Sequence, residues 1–239
     1  MSKGIFIVGT DTDVGKTVVT AGLIHLLRSK GYNACYFKPV LSGAVLKNNE
    51  LIPGDTHFVK TIGNIPESLE NMTPYKFHTP VSPHLASEIE NIQIKIALIK
   101  EKFLQLKEKY AYIVVEGAGG LVVPIFKNYM LYDLIKELNL PILIVAHAGL
   151  GTINHTMLTV NFAEDMGIEV KGILLNGYNA LNICHADNKQ ILEKATNLQV
   201  LTLPKLKNIN VEKMQYGDLK EAIKTHIQIE TIIKWMKAC

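Results

Sequence analysis

The sequence predicts an α/β protein built on a doubly wound, mainly parallel sheet with helices on both faces. Three observations lead to this prediction. Short apolar runs rich in β-branched residues recur along the chain, longer amphipathic segments separate them, and a glycine-containing turn follows the first run. Strands that are apolar on both faces are typical of a covered parallel sheet. Regular alternation of strands and helices indicates crossover connections between parallel strands.

The individual elements follow from these runs. Six apolar runs are predicted as strands, at residues 5–8, 34–37, 112–115, 142–145, 172–175 and 200–203. Three amphipathic segments are predicted as helices, at residues 17–30, 94–109 and 152–166. The proline-rich stretch 41–83 breaks the alternation, and a connection of that length predicts a functional loop or one with minor helices. The amphipathic segment 227–236 is only mildly basic, so we expect it to dock on the chain's own core.

Composition limits the class of protein. A chain of 239 residues with 48% hydrophobic residues fits one α/β domain over residues 1–239. Its apolar blocks are far shorter than the ~20 residues of a membrane span, and no signal peptide is expected. The three cysteines, Cys35, Cys184 and Cys239, fit neither a metal spacing nor a disulfide framework, which favours a cytoplasmic setting. A net charge of +3 with Arg28 as the single arginine argues against nucleic-acid binding.

A phosphate-binding loop is predicted directly after the first strand. Gly9 is followed by five residues, then by Gly15, Lys16 and Thr17 and an amphipathic helix. Backbone N–H groups at a helix start attract phosphate, the lysine reaches the β- and γ-phosphates, and the threonine hydroxyl binds Mg²⁺. The common motif has four residues between its glycines, and Thr10 stands where its first glycine would fall. The alternative is an ordinary βα turn, but the strand–turn–helix context predicts a P-loop NTPase-like fold.

Two further polar residues, Glu116 and Lys38, are candidates for the same site, and Asp55 is an isolated acidic residue in a predicted loop. Glu116 ends the third predicted strand and precedes a glycine-rich run, and Lys38 follows the second strand. Because ligands bind outside the carboxyl ends of parallel strands, both side chains are expected beside the phosphate loop. A carboxylate there suits Mg²⁺, and a second cation would stabilise a transferring phosphoryl group. The alternatives are a capping or solvated Glu116, a solvated Lys38, and a turn cap for Asp55.

Four motifs in order carry a family resemblance. They are GTDTDVGKT at residues 9–17, KPVLSG at 38–43, VEGAGG at 115–120, and GTINHTMLT at 151–159. In this order and spacing the chain closely resembles the dethiobiotin synthetases of the biotin pathway. The resemblance implies an ATP-dependent cyclo-ligase that uses 7,8-diaminononanoate, CO₂ and MgATP. It further implies that a carbamate and a carbamic-phosphoric anhydride precede closure of the ureido ring, with release of ADP and phosphate.

The resemblance also assigns roles to individual residues. Lys38 would be catalytic, stabilising the carbamate and the transferring phosphoryl group, while Thr17, Asp55 and Glu116 would hold Mg²⁺. The residues implied to bind ATP are Asp13, Val14, Gly15, Lys16, Thr17, Val18, Asp55, Glu116, Gly117, Ala118, Gly119, Asn176, Gly177, Pro204, Lys205 and Leu206. Those implied to bind the diamine substrate are Thr12, Ser42, Leu150, Gly151, Thr152 and Asn154.

The last group of residues carries a prediction about assembly. The segment 148–155 opens a helix after a strand, and such a helix start is an anion site. The resemblance implies a homodimer in which this helix start holds the substrate carboxylate across the interface. The alternative is a plain capped βα turn. His147 and His155 flank the segment, and we interpret them as a strand-end residue and a helix-face residue rather than metal ligands.

Two other classes of protein share parts of this pattern. A partition or cell-division ATPase would use the phosphate loop as a nucleotide-dependent binding switch, but it carries a signature lysine near the loop's start, where this chain has Asp11. A glutamine-dependent amidotransferase of the cobyrinate type would need an added glutaminase domain with a nucleophilic cysteine. Neither alternative accounts for Lys38 and Glu116 in their motifs together.

Overall fold

The computed structural model describes residues 2–239. In chain order its strands are β1 (Lys3–Gly9), β2 (Ala34–Phe37), β3 (Val40–Ser42), β4 (Val45–Lys47), β5 (Glu50–Ile52), β6 (Tyr75–Phe77), β7 (Tyr112–Gly120), β8 (Pro124–Phe126), β9 (Tyr129–Met130), β10 (Ile142–His147), β11 (Val170–Tyr178), β12 (Gln199–Pro204), β13 (Ile209–Asn210), β14 (Gln215–Tyr216) and β15 (Lys237–Ala238). Its helices are α1 (Lys16–Ser29), α2 (Gly54–Gly63), α3 (Leu69–Met72), α4 (Pro83–Ile89), α5 (Ile96–Lys109), α6 (Leu131–Leu138), α7 (Thr152–Asp165), α8 (Ile183–Thr196), α9 (Leu219–His226) and α10 (Ile229–Trp235).

The main sheet has the strand order β12-β11-β10-β1-β7-β2, and all neighbours on this path are parallel. β1 therefore lies at the centre, where the order of connections reverses. The connection that follows β1 runs along the sheet towards the β2 edge, whereas the connections that follow β7, β10 and β11 run towards the β12 edge. Right-handed crossovers in opposite directions put their helices on opposite faces of the sheet. Accordingly α1 packs with α2, α9 and α10, whereas α7 packs with α8. The predicted doubly wound fold is confirmed.

All six predicted strands are present and form this sheet. The central residues of the first five are fully buried, as in Ile5 to Val8 and Val114, whereas Leu201 and Thr202 on the edge strand β12 are half-buried. The predicted helices are also confirmed, with boundaries shifted by one or two residues. The described chain contains no helix that is long and apolar enough to cross a membrane.

The stretch 41–83 is more ordered than an irregular loop. It contains the ten-residue helix α2, whose apolar residues Phe58 and Val59 are fully buried. The prolines mark the edges of this helix rather than a lack of structure, since Pro53 precedes its first residue. As predicted, the C-terminal amphipathic segment docks on the core as α10, with Ile232 fully buried. The antiparallel pairing of β15 with the start of β1 was not predicted.

Candidate active site at the carboxyl edge of the sheet

The predicted site residues lie along one edge of the sheet, where the parallel strands end. From one side to the other, this edge carries the segment after β12, Asn176 on β11, the segment after β10, the phosphate loop after β1, Glu116 on β7, and Lys38 after β2. The phosphate loop at the centre thus separates the Asn176 side from the Glu116 and Lys38 side. The topology brings together residues that are up to about 190 positions apart in the sequence.

The phosphate loop has the left-handed turn that its glycine allows. Gly15 is the N-cap of α1 with φ 93°, and Asp13 also has a positive φ of 59°. The Lys16 side chain is nearly buried, and its Nζ donates to the backbone oxygen of Asp11 at 2.8 Å. Burial lowers the pKa of Lys16, while the Glu116 carboxylate opposes this effect. The loop therefore holds its lysine folded back over its own backbone, next to the helix start.

A buried ionic cluster lies beside the loop and joins the three predicted metal ligands. Lys38 Nζ lies 2.5 Å from Asp55 Oδ2 and 2.8 Å from Glu116 Oε1. The Thr17 hydroxyl donates to the same Glu116 Oε1 at 2.8 Å. Glu116 is fully buried and Lys38 is 5% exposed. Asp55 reaches the cluster from the first turn of α2, so it belongs to a helix start and not to the isolated turn that the sequence suggests.

The cluster keeps Lys38 charged. Burial alone disfavours the ammonium form, but the negative charges of Asp55 and Glu116 more than offset this cost and raise the pKa of Lys38. The Asp55 side chain is 30% exposed, and the Lys16 ammonium lies close enough that Glu116 and Asp55 oppose the lowering of its pKa, so two ammonium groups face the two carboxylates. The hard oxygen atoms of Thr17, Asp55 and Glu116 are the type of ligand that Mg²⁺ prefers.

Tyr36 belongs to this cluster and was not predicted from the sequence. Its hydroxyl donates to Glu116 Oε2 at 3.0 Å, and its side chain is fully buried. Burial and the charge of Glu116 raise the pKa of Tyr36 well above its usual range, so the hydroxyl remains a donor. One signal could have identified it. Tyr36 and Lys38 are two residues apart in extended backbone, which places their side chains on the same face of the sheet.

Asn176 contacts the phosphate loop directly. Its Nδ2 donates to the backbone oxygen of Val14 at 3.0 Å, and its Oδ1 accepts from the N–H of Gly177 at 3.0 Å. A side-chain amide offers two N–H groups and two lone pairs, so one of each stays available for a nucleotide base. The adjacent strand β12 pairs with β11, with Leu203 opposite Asn176 and Pro204 opposite Tyr178, and Lys205 and Leu206 follow the end of β12. The residues predicted to bind the base therefore come from two adjacent strand ends.

Ser42 and Thr12 are two of the residues predicted to bind the substrate. Ser42 ends β3, and its buried hydroxyl has no hydrogen-bond partner among the described residues. Thr12 lies on the exposed side of the phosphate loop. Its hydroxyl lies 3.8 Å from the point that a Cβ would occupy if Gly119 were replaced. A narrow pocket adjoins Glu116, and its lining includes the apolar residues Val40, Val123, Ile125 and Leu131.

The segment before α7 is exposed on this edge of the molecule. Leu150 is 94% exposed, Gly151 has φ 86°, and Asn154 faces solvent. Thr152 differs from these three because its side chain is buried and lies 3.4 Å from the hydroxyl of Thr156. Asn188 on α8 donates to the backbone oxygens of Ala148 and Gly149 at 2.9 and 3.1 Å, which fixes the segment.

The two flanking histidines are placed as interpreted from the sequence. His147 is the exposed last residue of β10, and His155 is exposed on α7. Within residues 2–239 no group of three or more His, Cys, Asp or Glu side chains has the arrangement of a metal site. The predicted Mg²⁺ site does not conflict with this, because only two of its three residues are carboxylates.

Comparison with known proteins agrees with the arrangement of the motifs. A family model described as AAA domain matches residues 3–213. The ATP-dependent dethiobiotin synthetase of Clostridium novyi is 53% identical over 218 residues, which cover 89% of this chain and 92% of that protein. The ATP-dependent dethiobiotin synthetase of Clostridium kluyveri is 49% identical, and the match covers 99% of this chain and 99% of that protein.

Two solved structures with a similar fold carry the names of cell-division proteins. The septum site-determining protein MinD of Pyrococcus horikoshii, solved as a complex with Mg-ADP, superposes with a TM-score of 0.60 at 16% identity, covering 98% of this chain and 96% of that one. A MinC:MinD complex of Aquifex aeolicus gives 0.59 at 14% identity, covering 98% and 95%. At such identities the likeness shows the P-loop NTPase fold alone. The sequence relatives decide against the partition ATPase and amidotransferase alternatives.

Proposed function

Because this chain belongs to the family of ATP-dependent dethiobiotin synthetases, ligases of the biotin pathway, we propose that it closes the ureido ring of dethiobiotin. Its substrates are 7,8-diaminononanoate, CO₂ and ATP, and the whole chain acts as one α/β domain. The observation that best supports this proposal is the buried cluster of Lys38, Asp55 and Glu116 beside the phosphate loop. A protein that uses ATP only as a switch requires the phosphate loop alone. An enzyme that transfers the γ-phosphoryl group to an acceptor also requires a second cation on the acceptor side of the loop.

The reaction proceeds in three steps. One amine of the diamine attacks CO₂ and loses a proton, which forms a carbamate. A carbamate oxygen then attacks the γ-phosphorus of ATP, the bond to the bridging oxygen breaks, and ADP leaves. The second amine attacks the carbon of the resulting carbamic-phosphoric anhydride and loses a proton, the carbon–oxygen bond breaks, and phosphate leaves with ring closure. Such phosphoryl transfer depends mainly on positioning and on charge stabilisation.

The loop and its neighbours bind the nucleotide in this proposal. Backbone N–H groups of residues 13–18 and the Lys16 ammonium hold the phosphates, and Gly117 to Gly119 allow close approach of the β7 backbone. Asn176 and Gly177 face the base together with the segment from Pro204 to Leu206. Asn176 thereby links base and phosphate sites, since it already supports the loop through the Val14 oxygen.

The oxygen atoms of Thr17, Asp55 and Glu116 would hold Mg²⁺. Their chemistry fits this ion, because all three are hard oxygen ligands and they are joined in one cluster by contacts of 2.5 to 2.8 Å. When bound, Mg²⁺ neutralises charge on the phosphates. Lys38 turns its ammonium to the carbamate and the transferring phosphoryl group. The unpartnered hydroxyl of Ser42 receives an amine of the substrate, and Thr12 contacts the diamine from the loop.

The exposed segment before α7 completes the site of a second copy. Leu150, which precedes α7, is 94% exposed, and Leu158 on α7 is 61% exposed, while Asn154 between them is also exposed. Large exposed apolar side chains favour burial in an interface. We therefore propose a homodimer in which Leu150, Gly151 and Asn154, with the backbone of Thr152, hold the substrate carboxylate of the partner.

The proposed function makes a direct prediction about turnover. Phosphate release from ATP is expected to require both the diamine and bicarbonate, because the phosphoryl acceptor forms only from the two together. A coupled phosphate assay with each component omitted in turn measures this, and mass spectrometry of the product shows whether the ureido ring has formed. Rapid ATP hydrolysis that DNA or lipid stimulates, with no response to the diamine, would contradict the proposal.

The dimer makes a separate prediction. Lys38→Ala and Asn154→Ala are each expected to be inactive, yet an unfolded-and-refolded mixture of the two should regain activity. Random assembly gives half mixed dimers with one intact site each, or about a quarter of wild-type activity. Activity of the mixture is measured against each variant treated alone. If each chain holds a complete site, the mixture stays as inactive as its components.

A further inference from the structure

The carboxylate of Glu116 has its two oxygen atoms in different surroundings. Oε1 faces the reacting side, where it accepts hydrogen bonds from Thr17 and Lys38, both at 2.8 Å. Oε2 faces the core and accepts from the Tyr36 hydroxyl at 3.0 Å. A fully buried carboxylate without this donor would have one oxygen unsatisfied. Tyr36 therefore supplies the donor that holds the Glu116 carboxylate in this orientation.

We propose that Tyr36 is a positioning residue that acts through Glu116 to set the affinity of the site for Mg²⁺. This inference rests on the proposed Mg²⁺ site of Thr17, Asp55 and Glu116. Partners that hold a metal-binding carboxylate from behind typically contribute about 10- to 100-fold in metal affinity. The Tyr36 side chain is fully buried, its strand β2 pairs with β7 and contacts α2, and its hydroxyl also meets the Thr56 side chain, so the phenol has little freedom to turn away.

The ring and the hydroxyl of Tyr36 have separate roles. Its side chain is among the largest that are fully buried, and it pairs in register with Val114 on β7. The ring packs like any core aromatic group, while only the hydroxyl reaches Glu116. Tyr36→Phe removes that one oxygen and keeps the packing, so the two contributions can be measured separately.

The test is the effect of Mg²⁺ on ADP binding, measured by calorimetry in excess Mg²⁺ and in EDTA. The ratio of the two ADP dissociation constants reports the metal. In Tyr36→Phe we expect the ratio to fall about 10-fold or more towards one, with unchanged ADP affinity in EDTA. Tyr32→Phe is the matched control, since it removes a tyrosine hydroxyl near the other end of β2, where the ring packs edge-on against Tyr112.

Each alternative outcome has a distinct meaning. A wild-type ratio near one would contradict the proposed Mg²⁺ site itself. If the wild-type ratio is well above one and Tyr36→Phe has the same ratio, the role of Tyr36 is wrong while the Mg²⁺ site stands. The same conclusion follows if Tyr36→Phe loses ADP affinity equally with and without Mg²⁺. In a Glu116→Gln background, Tyr36→Phe should leave the ratio unchanged, and a further tenfold fall there would show that Tyr36 does not act through Glu116.

Discussion

Replacing Gly15 with alanine is expected to reduce turnover on the order of 100-fold or more, with a matching loss of ATP affinity. The new Cβ would lie 2.1 Å from Nδ2 of Asn176, far inside contact distance, and the backbone there has φ 93°. Either the loop changes its dihedral angles or Asn176 gives up its hydrogen bond to Val14. Both responses displace the N–H groups that hold the phosphates, and a displacement of about 1 Å at a preorganised site costs on the order of 100-fold in rate.

Gly31 provides the matched control for this substitution. It also has a positive φ, 85°, but no atom lies within 4 Å of the point that a Cβ would occupy, and it follows α1 at the opposite end of the helix. Gly31→Ala should therefore cost about 1–2 kcal/mol of unfolding free energy from backbone strain and leave ATP binding unchanged. Calorimetric ATP titrations and thermal unfolding of both variants distinguish the cost of an alanine at positive φ, which both variants share, from the contact with Asn176, which only Gly15→Ala makes. Equal ATP affinity in the two variants would rule out the contact with Asn176 as the cause.

Much of the fold was predictable because its elements are determined locally. Each strand of the main sheet is an apolar run bounded by polar or glycine residues, and the covered parallel sheet follows from those runs. The helix α2 was harder to predict because its ten residues lie between Pro53 and Pro66, in a proline-rich stretch that reads as a loop. Its formation depends on burying Phe58 and Val59 against the core, which is a tertiary effect.

The sequence predicted which residues of the candidate site lie together, but it did not predict their contacts with one another. The phosphate loop and Lys38 follow strands directly, and Glu116 follows the apolar run 112–115 within the longer strand β7, so the rule for carboxyl ends places them together. The contacts of Lys38 with both Asp55 and Glu116 depend on how α2 returns to the sheet, which no local pattern specifies. Tyr36 was missed for the opposite reason, since a tyrosine within an apolar strand has the expected composition of core, and only its partner reveals its hydroxyl as functional.

Lys16 and Lys38 are expected to fail in different ways when replaced. Lys16 lies in the loop that holds ATP throughout the reaction, so Lys16→Ala should weaken ATP binding and turnover together. Lys38 comes from another strand and is held by two carboxylates until the carbamate and the transferring phosphoryl group develop charge. An interaction made chiefly in the transition state lowers kcat with little change in ground-state binding. Removing one such stabilising group costs about 3–4 kcal/mol, or on the order of 10²–10³ in rate.

Lys38→Ala should therefore bind MgATP almost normally and turn over very slowly. Lys76→Ala is the matched control, because Lys76 pairs with Glu70 at 3.2 Å on the surface and its loss should leave both quantities unchanged. Calorimetric titration of MgATP and steady-state kinetics are compared for the three lysine variants, with thermal unfolding to verify the fold, since Lys38→Ala leaves two carboxylates unpaired in the absence of metal. If Lys38→Ala loses MgATP affinity as severely as Lys16→Ala does, Lys38 is a ground-state phosphate ligand and its assignment to the transition state is wrong.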